Sequence, residues 1–394
     1  MPIDYYLASG SCIELEVEEK LRSLRIIFLA LLVGVFLTGT GAAQDSIWAE
    51  LNGRGMEAYK NGDLESAEEY YREALNVAAD GGLRAEMSAT LNNLGLLLKA
   101  EGRLEEAVSV LHNALELRFS VYGARHRYTA QSMNNLGRLM VALGRYPAAE
   151  QLYTQAIDIY SEWRGGKTSA LAGTLTNIAS LHERVGRLEA AYGNLKHAVS
   201  IYDVTLPPDH PNLASAINTM ATVLVKLGRG PEAEEIYRRV IDIGANQKGV
   251  LAIEAATALN NLAALKKEHC AYDEAGNLYE QAIKIWRDVV GGRNQDLAVT
   301  YHNLAGLRTQ QGHFEEADQL YQISVGLHEQ ILGPQNRYLI PALEGYAYFL
   351  LATNHPEQAL VLIERSNQIR DQHDLVAVTV AQIKDRNDLC GDEL

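Results

Sequence analysis

Apolar and small side chains recur through most of the chain with the spacing of short amphipathic helices. In the middle of the chain, Leu136 and Leu139 mark one stripe, Ala149 and Tyr153 mark a second, and Gly144 lies between them. Spacings of three and four residues place such side chains on one face of a helix. Glycine commonly ends a helix, because it adopts the left-handed backbone conformation without strain. The pattern therefore predicts two helices joined by a tight turn.

The same two-helix pattern occurs eight times, and we number the copies repeats 1 to 8, each with a first and a second helix. The alanines that mark the second helices are Ala67, Ala107, Ala149, Ala191, Ala233, Ala275, Ala317 and Ala359. After a first interval of 40 residues, every interval between these alanines is 42 residues. A large residue follows each alanine by four places, and a glycine or alanine precedes it by twelve. A hairpin this small cannot bury its own apolar face, so the copies must stack on one another.

These residues resemble a known repeat family. Leu136-Gly137 followed by Ala149-x3-Tyr153 resembles the tetratricopeptide repeat (TPR), whose usual unit is about 34 residues. The resemblance implies an all-α fold, a right-handed α-solenoid (superhelix) of about eight TPR helical hairpins. HEAT and armadillo arrays have a similar period of about 40–47 residues. They do not require the spacing of a small residue and then an aromatic one, so the TPR interpretation is favoured.

The longer unit narrows the resemblance further. A repeat of 42 residues with Asn-Asn-Leu in the first helix is similar to the kinesin light chain type of TPR. The resemblance covers about residues 48–370. Repeats 1 and 8 depart from it, because Gly53 and Gly345 stand where asparagine is expected. Terminal repeats are commonly atypical, since one of their faces meets water.

Residues 1–43 have the order of a secretory signal peptide with an unusually long N-terminal extension. Lys20 and Arg25 precede the uncharged run Ile26–Leu37, and small residues follow up to Ala43. This order of basic flank, apolar run and small residues is typical of a signal that is cleaved. We expect cleavage after Ala43, which would make the protein exported, either periplasmic or secreted.

A membrane anchor is the alternative interpretation of this segment. The uncharged run extends to Ala43 if the small residues are included, which is close to the length of about 20 residues that spans a bilayer. An uncleaved N-terminal segment would then hold the protein at the membrane.

The last residues, 371–394, break the repeat period. The stretch Leu375–Ile383 is rich in β-branched residues, and both a short capping helix and a frayed end are compatible with it. Cysteine is sparse: Cys12 precedes the expected cleavage point, Cys270 replaces the turn glycine of repeat 6, and Cys390 lies in the tail. Their spacing is not that of a metal site, and free or inert thiols are the favoured interpretation.

Net charge limits the classes of partner. The 394-residue chain carries a formal charge of −15 at pH 7. Binding to nucleic acid or to anionic membranes generally requires clustered lysine and arginine. The acidic composition therefore argues against both classes.

Catalytic motifs are absent from the sequence. The chain has 11 histidines, and the closest pair, His302 and His313, is too far apart for a helical metal site. The sequence contains neither the Gly-x-Ser-x-Gly nucleophile motif nor a phosphate-binding loop. Acidic pairs such as Glu105-Glu106 open second helices, where carboxylates interact favourably with the positive end of the helix. We therefore expect a protein that is not an enzyme, with no cofactor and no metal. The alternative is an exported enzyme, or an enzyme-complex subunit, with an unrecognised site.

An asparagine series offers the clearest functional signal. Equivalent places in five first helices hold Asn93, Asn135, Asn177, Asn261 and Asn303, and Thr219 fills that place in repeat 5. The place lies two residues, or about 200° of helical rotation, before the small residue of the helix contact. These side chains should therefore point away from that contact, toward the concave face of a solenoid. An amide both donates and accepts hydrogen bonds, so it can hold a peptide backbone. The family resemblance implies this role, and the alternative is that the amides bridge neighbouring first helices.

Charged residues flank the asparagine place on the same face of the first helices. The bases there are Lys99, Arg138, Arg184, Lys226 and Lys267, and the acids are Glu183 and Glu268. The excess of bases favours an extended peptide with acidic side chains or a free carboxylate. The predicted peptide-binding residues are Asn93, Asn135, Arg138, Asn177, Arg184, Lys226, Asn261 and Asn303. The alternative is that the bases only pair with the two acids.

We expect the protein purified from a secreting host to begin at or near Gln44, because the signal peptidase reads the small residues at Gly41 and Ala43. N-terminal sequencing or intact mass spectrometry measures this directly. An intact N-terminus on protein from the cytoplasm would contradict export. Intact protein in the membrane fraction would favour the anchor.

Overall fold

The structure is a computed structural model that describes residues 41–244, 247–292, 294–373 and 375–384. These residues form α-helices joined by short turns, and they contain no β-strand. The helices in chain order are α1 (Gly41–Lys60), α2 (Leu64–Asp80), α3 (Arg84–Ala100), α4 (Leu104–Tyr122), α5 (Arg127–Ala142), α6 (Tyr146–Glu162), α7 (Ser169–Arg184), α8 (Leu188–Thr205), α9 (Pro211–Lys226), α10 (Gly230–Gly244), α11 (Val250–Glu268), α12 (Tyr272–Val290), α13 (Gln295–Gln310), α14 (Phe314–Leu332), α15 (Ile340–Ala352), α16 (Pro356–Gln372) and α17 (Val380–Lys384). Two 3₁₀ helices, Trp163–Gly166 and Arg337–Leu339, precede α7 and α15.

Each predicted repeat is an antiparallel helical hairpin, from α1–α2 for repeat 1 to α15–α16 for repeat 8. All eight marker alanines are fully buried, and the large residues four places later are at most 4% exposed. The turn inside each hairpin needs one residue in the left-handed conformation, which Gly144 adopts in repeat 3 with φ 71°. Cys270 and Asn354 hold the same place in repeats 6 and 8, with φ 58° and 65°.

The chain divides into two compact units, residues up to Leu97 and residues from Leu98 onward. The described part of the first unit contains α1, α2 and most of α3. In it, α1 packs against α2, and a Cβ added to Gly55 would lie 2.6 Å from the ring of Tyr71. Trp48 Nε1 donates a hydrogen bond of 2.8 Å to Thr90 Oγ1, which connects α1 to α3.

The second unit is a stack in which each helix packs against the next helix in sequence, from α4 to α16. The buried residues of repeats 3 to 6 form one continuous cluster, and those of repeats 6 to 8 form a second. Neighbouring first helices also contact one another along α5, α7, α9, α11, α13 and α15. Neighbouring second helices make no comparable contact in the described residues. The first helices are therefore the more closely spaced row, and they form the inner face of this unit.

Close approach of the two helices within a hairpin depends on the small residue of the first helix. A Cβ built on Gly137 would lie 2.7 Å from Cε1 of Tyr153, well inside van der Waals contact. Tyr153 itself is 1% exposed. The predicted contact between the two helices is thus present.

The ends of the array differ slightly from the sequence-based boundaries of 48 and 370. Helix α1 begins at Gly41, and α16 ends at Gln372. Residues 1–40 of the predicted signal segment lie outside the described residues. No helix in the described ranges is long and apolar enough to cross a membrane.

Part of the tail forms a short helix that packs on repeat 8. Ile383 in α17 is fully buried and joins the core cluster of the last repeats. Asn367 in α16 donates to the carbonyl of Val378 at 2.9 Å and accepts from its N–H at 2.7 Å. Of the two interpretations of the tail, the capping helix agrees with these contacts for residues 375–384.

The expectation of free thiols is wrong for Cys270, whose sulfur is in a disulfide bond. A cysteine in a turn, replacing the usual glycine, carries no sequence signal for pairing, because pairing depends on which distant residue the fold brings near it.

Replacing Gly137 by leucine should lower the free energy of unfolding by about 1–3 kcal/mol or more, because the added side chain must displace the Tyr153 ring. Gly193 is the matched control, since it is a helical glycine with nothing within 4 Å of an added Cβ. Gly193→Leu should be neutral or stabilising by up to about 1 kcal/mol through helix propensity. Urea denaturation of both variants measures the difference. Equal unfolding midpoints would contradict the proposed contact.

Candidate functional site

A polar pocket opens on the inner face of the second unit, across the first helices of repeats 4, 5 and 6. Its volume is about 480 Å³. The lining residues are Ser180, Glu183 and Arg184 from α7, Asn218, Thr219, Thr222 and Lys226 from α9, and Glu254, Thr257 and Asn261 from α11. The stacking of neighbouring first helices brings these three sets together.

The repeat register accounts for most of this lining. Helical geometry puts the places four and one residues before the asparagine, and three, six and seven residues after it, on the same face. Nine of the ten lining residues stand at the asparagine place or at one of these places. Glu254 is the tenth and lies seven residues before Asn261, two helical turns earlier on the same face. Extending the predicted face by one turn would have found it. Asn218 stands at a predicted place but was not among the predicted binding residues.

Asn218 is held in one orientation by repeat 6. Its Nδ2 donates to the carbonyl oxygen of Glu254 at 2.9 Å and to the Glu254 carboxylate at 3.1 Å. An amide nitrogen has two hydrogens, so both are used. Asn218 is 5% exposed, and its Oδ1 has no hydrogen-bond partner among the described residues. The pocket thus contains an oriented acceptor without a donor.

Side chains of repeats 5 and 6 lie close together beside the pocket. Thr222 Oγ1 lies 3.1 Å from the Tyr237 hydroxyl and 3.2 Å from the carbonyl oxygen of Asn218. Burial raises the pKa of Tyr237, so its hydroxyl stays protonated and neutral at physiological pH. The Asn261 side chain lies near the same tyrosine and slightly offsets the rise of its pKa.

The charges in the pocket are partly paired. Lys226 Nζ lies 2.9 Å from a carboxylate oxygen of Glu183, so the predicted pairing of a base with one of the two acids is present here. Arg184 forms no ion pair with any described residue. Its charge reaches the loop before repeat 8, where the pKa of Tyr338 is lowered chiefly by the hydrogen bond from Arg337 and also by Arg184.

Lys99 and Arg138 are two further bases of the inner face, on α3 and α5. In the part of the chain that is described, neither side chain forms an ion pair. The pKa of Lys99 is lowered by burial and, to a smaller extent, by the positive charge of Arg138. The two bases therefore lie close enough to repel each other, and both would gain from a nearby anion.

The asparagine series mainly connects neighbouring repeats. Asn177 Nδ2 donates to Asn134 Oδ1 at 2.9 Å, and Asn303 Nδ2 donates to Asn260 Oδ1 at 3.1 Å. In the first unit, Asn93 Nδ2 donates to Asn52 Oδ1 at 3.3 Å. We call this contact the inter-repeat amide bond. The alternative in which the amides bridge first helices is thus observed at three places.

Of the eight predicted binding residues, the pocket brings together Arg184, Lys226 and Asn261. Arg138 is exposed but lies outside the pocket lining, and Asn135 is 6% exposed. Asn93, Asn177 and Asn303 are half-buried and use their amide nitrogens in inter-repeat amide bonds. A role of these asparagines in binding a peptide stays a prediction.

The described residues contain no group of three or more His, Cys, Asp or Glu side chains placed to hold a metal ion. The polar groups of the pocket are amides, hydroxyls and charged groups suited to hydrogen bonding.

Family comparison explains the hairpin array. A family model for the tetratricopeptide repeat matches residues 86–162, 170–245 and 254–325, and a second tetratricopeptide model matches residues 51–80. The chain belongs to the tetratricopeptide repeat family. TPR scaffolds generally mediate protein–protein interactions and are typically not catalytic. No curated protein matches the sequence.

Solved structures with a similar fold include the apo form of RapI, at 15% identity and a TM-score of 0.55, covering 72% of this chain and 98% of that one. A putative kinesin light chain with nearly identical TPR-like repeats from Podosopora anserina is 21% identical, with a TM-score of 0.46, and covers 51% of this chain and 94% of that one. BtubC (BKLC) from P. vanneervenii is 16% identical, with a TM-score of 0.39, over 70% of this chain and 94% of its own. The predicted all-α TPR solenoid is confirmed by the family match and the RapI likeness.

The inter-repeat amide bond should contribute to stability. We expect Asn177→Ala to lower the free energy of unfolding by about 0.5–1.5 kcal/mol, the net value of a hydrogen bond. The exposed Asn113→Ala is the control and should be near neutral. In a double-mutant cycle with Asn134→Ala, the two losses should be less than additive. Additive losses in urea denaturation would show that the bond contributes nothing.

Proposed function

We propose that the chain is a non-catalytic adaptor whose pocket across repeats 4 to 6 binds an extended segment of a partner protein. The observation that carries the proposal is the pocket itself, because it gathers residues that stand at equivalent places of three repeats. Ser180, Thr219, Thr222 and Thr257 add hydroxyl oxygens that can accept a hydrogen bond. Each of these hydroxyls donates its own hydrogen to a backbone carbonyl of its helix. Such a lining can bind a peptide backbone without regard to its side chains.

Fewer bases support a preference for acidic segments than the sequence predicted. Lys226 is already paired with Glu183, so it offers little net attraction. The bases that support an acidic partner are Lys99, Arg138 and Arg184, which form no ion pair among the described residues. Charges of this kind increase the rate of encounter and set the orientation of the partner more than they raise the affinity.

An extended peptide suits the pocket better than a small substrate does. The pocket lies along a row of parallel first helices, and its groups recur from one repeat to the next. A peptide backbone also repeats its donors and acceptors, at about 3.3 Å per residue. Every lining residue except Glu254 has an explanation in the repeat register, so the pocket lacks the separate polar cluster that an enzyme would need.

The N-terminal residues suggest where in the cell the protein works. We propose that the adaptor works outside the cytoplasm, because residues 20–43 have the order of an export signal. The partner would then be an exported or surface protein.

The test uses a short linear peptide selected on the parent protein from a random library. We expect Arg138→Gln with Arg184→Gln to weaken binding of an acidic selected peptide several-fold at low salt and much less at high salt. The reason is that the screening length falls from about 10 Å at 0.1 M salt to about 3 Å at 1 M. Calorimetry or fluorescence anisotropy measures both affinities.

The matched control removes the same charge elsewhere. Arg125 and Arg239 are exposed and pair with Glu162 and Asp203 outside the pocket. Arg125→Gln with Arg239→Gln should leave peptide affinity unchanged at both salts. The proposal is contradicted if the selected peptide binds both double variants equally and also binds Thr222→Val with Thr257→Val like the parent.

A further inference from the structure

The inter-repeat amide bond is interrupted at the pocket. At two places in the second unit the asparagine of one repeat donates to the residue 43 places earlier, as Asn177 does to Asn134 and Asn303 does to Asn260. The equivalent bond between repeats 5 and 6 would join Asn261 to Asn218. It is absent between these two described residues, because each side chain bonds elsewhere.

Asn218 and Asn261, which would form this bond, each bond to another residue instead. Asn218 turns its amide nitrogen to Glu254, as described above. Asn261 accepts a hydrogen bond of 3.2 Å from Asn260 Nδ2 at its side-chain oxygen. Asn218 Oδ1 therefore lacks the donor that the asparagine of the next repeat supplies at the two boundaries named above.

The adjoining boundary between repeats 4 and 5 also lacks this bond. Thr219 replaces the asparagine there, and its hydroxyl donates to the carbonyl oxygen of Ser215 in the same helix at 2.9 Å. The pocket thus coincides with two successive boundaries where the inter-repeat amide bond does not form between the described residues. The groups left in place of those bonds line the pocket.

We propose that a backbone N–H of the bound peptide donates to Asn218 Oδ1 and takes the place that Asn261 would otherwise occupy. This inference rests on the proposed function and names the atom that the peptide contacts. A buried acceptor without a donor is unfavourable, so supplying the donor adds to affinity. The two bonds to Glu254 prevent the amide from turning over, so the pocket presents an acceptor here and selects a donor.

Binding at this atom needs a small rearrangement. Asn218 borders the pocket, but its oxygen is covered by its neighbours. A donor reaches it when a side chain at the rim turns aside, and rotamer changes of this kind are common when partners bind.

The test measures the selected peptide against the parent protein and Asn218→Ala. Asn134→Ala is the matched control, because it removes the same residue type at the equivalent place of repeat 3, where the oxygen already has a partner. Asn218→Ala should weaken binding on the order of tenfold, the effect of one buried hydrogen bond. Asn134→Ala should not change the affinity, although both variants lose stability.

A second measurement locates the donor. Each backbone nitrogen of the peptide is methylated in turn, which removes one N–H at a time. One position should lose about tenfold in affinity on the parent protein and almost nothing on Asn218→Ala. Asn218→Ser is the substitute if the alanine variant does not fold, because its shorter side chain cannot reach the same point.

The outcomes separate this inference from the function on which it rests. If every methylated position loses the same factor on the parent and on the variant, Asn218 serves at most a buried water, and the inference is overturned while peptide binding stands. If the peptide also binds the pocket variants Thr222→Val with Thr257→Val like the parent, the proposed function fails first.

Discussion

The close contact between the two helices of each hairpin is the constraint on which the array depends. A glycine or alanine on the first helix packs against a tyrosine, leucine or isoleucine of the second, and a Cβ added to Gly137 would lie only 2.7 Å from the Tyr153 ring. With the helices this close, a hairpin exposes one continuous apolar face, which only another hairpin can cover. The buried alanines and the stacking both follow from that contact.

Stacking creates a second requirement, since polar groups of neighbouring first helices come together along the inner face. The inter-repeat amide bond satisfies them, with Asn177 on Asn134 and Asn303 on Asn260. In repeat 8, Gly345 replaces the asparagine, and a Cβ there would collide with the ring of His302 from repeat 7. Two arrangements are therefore seen at these boundaries: a bonded pair of asparagines, or a glycine that leaves room for a histidine ring. Asparagine recurs because its amide both donates and accepts hydrogen bonds.

The repeats, the turn residues and the inner face could be predicted from the sequence because they depend on local spacing. The direction of each amide could not, since it depends on a residue 43 places away and on competing acceptors such as Glu254. The pairing of Lys226 with Glu183 is of the same kind, because the sequence brings both to the inner face but does not show which charges meet.

In a regular array, a functional site is most visible where regularity ends. Residues that repeat in every copy are explained by packing, so they cannot distinguish one partner from another. Repeats 4 to 6 depart from the others in a coordinated way: Thr219 replaces asparagine, Glu254 takes the Asn218 amide, and one acceptor has no donor. Together they coincide with a polar pocket on the inner face, where two bonds to Glu254 orient the Asn218 amide before a partner binds. Such pre-organisation reduces the entropy lost on binding.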